Sequence, residues 1–291
     1  MTSPWLRRAI GPIAVASLLS MALTAGTTAG VLARSTGDLA RSTGDSARPA
    51  STRPIGHAKP GSGPSNLIDH GGPVLLHSKT VAIFWGPTSA FDPQLQPAMV
   101  SLLGGMDGSA YLQVAQQYMR TASQISSSEG IALHDTSTPP KTALSTSNLG
   151  AEVAKLVATP DPDTIYFVFT SNMPHISYCA YHSDATANGV LVEVAYVPLQ
   201  PAGCSPLGSV NLHANSYDES VQASADSAAH EFMEAVTDPH LNAWYDKNGS
   251  EVADKCEYNY QGVVHLANHS TWQIQSEWSN AISACDPALG S

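Results

Sequence analysis

One segment constrains the fold more than any other. Asp218 to Val236 reads as the strongest helix of the chain: it opens on acidic residues, and Pro239 stands just past its end. Inside it lies His230-Glu231-Phe232-Met233-Glu234. Residues four apart share a helix face, about 5–6 Å between Cβ atoms, so His230 and Glu234 are placed to grip one metal ion. Glu231 is turned about 100° from His230, close enough to reach a water held by such an ion. The pattern His-Glu-x-x-Glu is a variant of the zinc-peptidase helix His-Glu-x-x-His, with Glu in the second His position. With 11 His in the chain, a match to this pattern arises by chance roughly once in a hundred such compositions.

Around that helix, elements alternate without a regular β-α-β rhythm. Val74–Trp85 ends in the apolar run Val81-Ala82-Ile83-Phe84-Trp85, which predicts a buried strand. Residues 93–103 and 110–126 are predicted as helices, separated by Gly104-Gly105 and Asp107-Gly108. Asn148 is expected to cap a helix through about Ala158, stopped before Pro160. Ile165–Thr170 is the clearest buried strand, Val190–Val197 another, and 262–266 with 271–277 a late strand pair. No Gly-rich phosphate loop and no Gly-x-Ser-x-Gly elbow occurs. The expected architecture is one α+β domain over residues 66–291, mixed and zincin-like, built round the metal-site helix.

The N-terminal part reads differently. Arg7 and Arg8 precede an apolar stretch from Ile10 to Leu23, and small residues with an acceptable cleavage site at Ala33 follow, so 1–33 is expected to be a signal peptide. Residues 34–65, rich in Pro, Gly and Ser, show no apolar periodicity and are expected to form a disordered linker. Charge divides the same way: residues 1–64 balance at +5 and residues 65–291 at -16. An acidic body with few basic residues cannot neutralise a phosphate backbone, which argues against nucleic acid, and anionic membrane surfaces would repel it. Secretion gives the four cysteines an oxidising setting. Cys179–Cys204 and Cys256–Cys285 are the favoured pairs, because each closes a local segment flanking the central helix.

Several runs in order resemble one family: Val81–Gly86, Tyr178-Cys179-Ala180-Tyr181-His182-Ser183, Ala229–Pro239, Asn242-Ala243-Trp244-Tyr245 and Glu251–Cys256. They are similar to the EXORDIUM-like, or phosphate-induced protein, family of secreted plant proteins with bacterial relatives. The resemblance covers roughly residues 70–286. It implies an extracellular protein and carries over no catalytic activity. His240 departs from the family pattern, where an apolar residue is expected.

Three residues compete to complete a metal site. His240 lies ten positions after His230, the spacing of the third His in metzincin peptidases, but Thr237 stands at their Gly position and no Met-turn follows. Glu251 and Asp254 follow the turn at Asp246–Ser250, and in a regular strand they would point to opposite faces. Glu251 or Asp254 is preferred to His240. Two functions follow. In one, zinc on His230, Glu234 and a third ligand serves a metallopeptidase-like hydrolase with Glu231 as general base, acting on an extracellular peptide, protein or cell-wall component. In the other, the same cluster is a structural or vestigial metal site of a non-catalytic signalling or wall-associated protein.

Overall fold

The computed structural model describes residues 65–290, so the expected signal peptide and, Ser65 apart, the expected linker lie outside the described residues. A two-residue strand β1 (Ile68–Asp69) leads into β2 (His77–Trp85), the long strand whose apolar end the sequence marks. The chain then forms α1 (Leu95–Gly104), α2 (Ala110–Gln113), β3 (Ser126–Glu129), β4 (Leu133–Asp135), α3 (Thr146–Leu156) and β5 (Thr164–Thr170). The hairpin β6 (Tyr181–Ala187) and β7 (Val190–Val197) follows, and then α4 (Glu219–Thr237). Strands β3-β2-β5-β7-β6 form the central sheet in that order, with β4 also paired to β2. Only β6 runs antiparallel to its neighbour.

The period-2 alternation of the buried strands sends two apolar faces to two helical layers. Ala82 and Phe84 of β2, Ile165, Phe167 and Phe169 of β5, and Ala195 and Val197 of β7 share a core with residues of α1 and α4. Ile83, Tyr166, Val168, Val192, Val194 and Tyr196 face the other way, onto Leu149 and Val153 of α3. The domain is mixed α/β, with helices on both faces and a largely parallel sheet. At one point α3 touches the sheet backbone: a Cβ on Gly150 would come within 2.4 Å of the Thr186 carbonyl oxygen.

Local chemistry explains where the elements depart from expectation. The helix expected over 110–126 stops early. A 3-10 turn, Val114–Tyr118, follows α2, and Arg120 adopts a φ of 56°. Gln116 takes over the hydrogen bonding of the loop, donating to the carbonyls of Thr121 and Ser123 and accepting from the amide of Ile125. The Ser-rich continuation, a poor helix former, becomes β3 instead. Ser145 rather than Asn148 caps α3, and Asn148 reaches back to complete a capping box. Strand β6 was not anticipated, although Asn188-Gly189, with φ of 48° and 80°, is the two-residue turn that joins paired strands.

Beyond α4, three small antiparallel pairs wrap the domain: β8 (Trp244–Tyr245) on β1, β9 (Val264–His265) on β10 (Thr271–Trp272), and β11 (Glu277–Ser279) on β12 (Ala284–Asp286). The late strand pair forms, but shorter than 262–266 and 271–277. Both expected disulfides are present, Cys179–Cys204 and Cys256–Cys285, with Cα atoms 5.8 and 5.7 Å apart. No helix among the described residues is long and apolar enough to cross a membrane.

Candidate metal centre

Helix α4 runs as expected, with Asp218 at its N-cap and the chain leaving it before Pro239. It lies against the sheet so that the α4-facing positions of β5 are apolar, whereas those at the edge are not. There β6 and β7 supply His182 and Glu193, which are 0% and 1% exposed. Alternation puts both on the face opposite Ala185 and Val194, which pack with α3. A buried imidazole and a buried carboxylate thus meet the Glu-rich turn of α4.

Glu234 is the centre of the group. Its Oε1 lies 3.2 Å from His230 Nε2, one helical turn back, and accepts the Asp254 amide at 3.1 Å. Its Oε2 lies 3.7 Å from His182 Nε2. Asp254 Oδ1 is 3.8 Å from His230 Nε2, and Glu251 Oε1 is 3.3 Å from His182 Nε2. The side-chain amide of Gln275 donates to the Ala253 carbonyl at 2.7 Å, so its Oε1 is left to accept from His230 Nδ1 at 3.3 Å. That contact holds Nδ1 on Gln275 and aims Nε2, the nitrogen that would meet an ion, at Glu234 and Asp254. Ligand atoms of His230, Glu234 and Asp254 lie within 4.8 Å of one another, and so do those of His182, Glu231 and Glu234; either group can hold a metal ion.

Burial opposes charge on His182 and His230, but Glu251 and Glu193 beside the first and Glu234 beside the second outweigh it and raise both imidazoles. Five carboxyl groups gather here, and Glu193, Glu231, Glu234 and Glu251 are each at most 5% exposed. Among the described residues no Lys or Arg forms an ion pair with any of the five. Lys255 pairs with Asp246 and lies over the Trp278 ring instead of reaching Glu234. Burial pushes Glu231 and Asp254 up to about 7 and Glu193 up to about 8. Glu251 is raised as well, through burial and then the nearby charge of Glu234. Burial also opposes ionisation of Glu234, but His230 and then His182 outweigh it and hold that carboxyl below its usual range.

A small cleft of about 80 Å³ opens onto one side of the group, lined by His230, Glu231, Asp254 and Asp226 together with Tyr178, Cys204 and Tyr258. Asp226, one turn before His230, accepts from the Tyr260 hydroxyl at 2.6 Å and the Gln275 backbone amide at 2.8 Å, fixing the irregular segment between β10 and β11 that carries Gln275. His182, Glu193 and Glu251 lie behind Glu234 and do not line the cleft.

Of the residues singled out by sequence, His230, Glu231, Glu234, Glu251 and Asp254 come together, and His240 does not. His240 Nδ1 is 3.8 Å from Asp184 Oδ2, and His240 belongs to neither metal-holding group. The strand that would send Glu251 and Asp254 to opposite faces is absent. Asp246 folds the turn by accepting from the amides of Asn248 and Ser250, and a short 3-10 helix, Asp254–Cys256, follows. Both carboxylates therefore swing onto α4, Asp254 to His230 and Glu251 to His182. His182, Glu193, Asp226 and Gln275 were not anticipated. The Asn188-Gly189 turn is the signal that could have placed the first two on facing strands. Comparison with family models, with curated proteins and with solved structures finds no match.

Proposed function

We propose that this is a secreted, metal-dependent hydrolase of the zinc-peptidase type, with the ion on His230, Glu234 and Asp254. The observation that carries the reading is the spacing of these donors. Tetrahedral zinc with bonds of about 2.0–2.2 Å sets its ligand atoms about 3.4 Å apart, and the two His230 distances, 3.2 and 3.8 Å, bracket that value. A bound ion would act there as a Lewis acid toward a substrate carbonyl and a water.

The chain supplies the rest. Glu231 lines the cleft beside His230 and, with its carboxyl raised to about 7, can accept and return a proton near neutral pH. Gln275 holds the His230 ring in register, and Asp226 and Tyr260 hold Gln275. The substrate proposed is an extracellular peptide, protein or cell-wall segment presented at the mouth of the cleft. The two disulfides suit an extracellular setting, as does the resemblance of residues 229–256 to the EXORDIUM-like proteins. One feature favours a structural ion in a non-catalytic extracellular protein: two of the three ligands are carboxylates, which lowers the Lewis acidity of the ion.

Glu231→Gln separates the two. Under the hydrolase reading it keeps its metal and loses hydrolysis of a mixed peptide substrate by about 10²–10⁴-fold. If wild-type protein carrying one equivalent of metal cleaves no faster than the variant, the hydrolase reading fails and the structural ion stands.

A further inference from the structure

The side of Glu234 facing away from the cleft holds a second grouping that the hydrolytic reading leaves without a role. His182 and His230 are built alike. Each has a buried oxygen at Nδ1, Glu193 Oε1 at 2.9 Å for His182 and Gln275 Oε1 at 3.3 Å for His230. Each brings Nε2 to a different oxygen of Glu234, at 3.7 Å and 3.2 Å, and His182 Nε2 also meets Glu251 Oε1 at 3.3 Å. An imidazole whose one nitrogen is held by a carboxylate is the usual form of a metal-ligating His, oriented and made more basic by its partner. Glu231 completes a second three-residue set with His182 and Glu234, all buried.

We propose that Glu234 bridges two divalent cations, the first on His230, Glu234 and Asp254 and a second on His182, Glu234 and Glu231. The inference rests on the first ion of the proposed function. At the His182 end, Glu193 Oε2 is buried with no hydrogen-bond partner, on a residue 1% exposed. The second ion has a consequence for the reaction. It engages Glu231 as a ligand and takes away its freedom to accept a proton, so hydrolysis rises with the first equivalent of metal and falls with the second.

The test uses metal-free full-length protein titrated with Co²⁺. Bound cobalt is counted by elemental analysis after desalting, and magnetic coupling is read by electron paramagnetic resonance. The expected result is two ions per chain, with an integrated signal well below that of two isolated ions because the carboxylate bridge couples them, and one ion per chain in His182→Asn. Saturation at one ion overturns the second site and leaves the first intact. Two ions with the full signal of isolated centres, or two ions retained by His182→Asn, overturn the bridge in the same way. A wild type that binds no cobalt removes the first ion as well. If His182→Asn does not fold, the wild-type count and coupling decide alone.

Discussion

Replacing Asp254 by Asn should weaken the first metal site and leave the metal-free protein no less stable. Asp254 sits 3.8 Å from His230 Nε2, and its amide donates to Glu234 Oε1. Asn keeps the size and one neutral oxygen, so the turn that accepts it through the Glu251 amide at 3.2 Å is preserved. Structural zinc sites with four ligands bind with about 10–16 kcal/mol, or about 2.5–4 kcal/mol per ligand. With its one oxygen kept on the Glu251 amide, Asn turns its NH2 toward the ion and the ligand is lost, a drop of at least about 100-fold in affinity for the first equivalent of Zn²⁺. Without metal the sign reverses. Burial and the neighbouring Glu234 raise the Asp254 carboxyl to about 7, so above that pH its charge works against folding. Metal-free Asp254→Asn at pH 8 should therefore melt no lower than metal-free wild type, while the gain on adding Zn²⁺ shrinks. Competition against a chromophoric chelator gives the affinity, and thermal unfolding gives the two stabilities. An affinity within about threefold of wild type, or a metal-free variant as destabilised as the loaded one, would refute the placement of Asp254 in the site.

Three further outcomes are expected. Glu231 and Asp254, raised to about 7, and Glu193, raised to about 8, hold protons in the folded state that the unfolded chain has released. The native state then binds more protons, so metal-free stability should fall as pH rises from about 4.5 to 8, and less steeply with Zn²⁺ bound. The lowered carboxyls of Asp69 and Asp161 act in the opposite sense below about pH 4; urea unfolding across pH that stays flat or rises through the upper window contradicts the assignment. Replacing Cys179 and Cys204 together by Ala opens a loop with a separation of 25 residues. The expected loss is about 3.5 kcal/mol on the chain-entropy model, checked by denaturant unfolding. Gly150→Ala drives a Cβ to 2.4 Å from a backbone oxygen of β6; it should cost about 1–3 kcal/mol, and a variant as stable as wild type would mean that α3 and β6 are not packed this closely.

The elements readable from sequence were those whose local signals agree with their burial. Helix α4 has an acidic start and a proline stop, and β5 and, Glu193 apart, β7 are apolar runs with helices on both sides, as strands buried on both faces must be. The segment 114–125 misled because its helical content depends on a tertiary detail, the capture of three backbone groups by Gln116. The site divides in the same way. His230, Glu231 and Glu234 lie on one helix, so 3.6-residue periodicity brings them together before any tertiary fold is known. Asp254 and Glu251 were legible as candidates but not as a pair, because a 3-10 turn rather than a strand carries them. His182 and Glu193 lie far from α4 in sequence. Only the register of the β6–β7 hairpin, in which His182 faces Ala195 and Glu193 faces Asp184, puts both on the α4 side.

The central claim is that this buried acidic cluster is completed by a cation. The most direct measurement is thermal unfolding of the full chain, purified without chelator, before and after EDTA, alongside His230→Ala. An ion present at about 1,000 times its dissociation constant contributes about 4 kcal/mol. EDTA should therefore lower the melting temperature of wild type by several degrees and leave His230→Ala where it already lies. Wild type that melts identically with and without EDTA, carries no metal by elemental analysis and matches His230→Ala would contradict the claim.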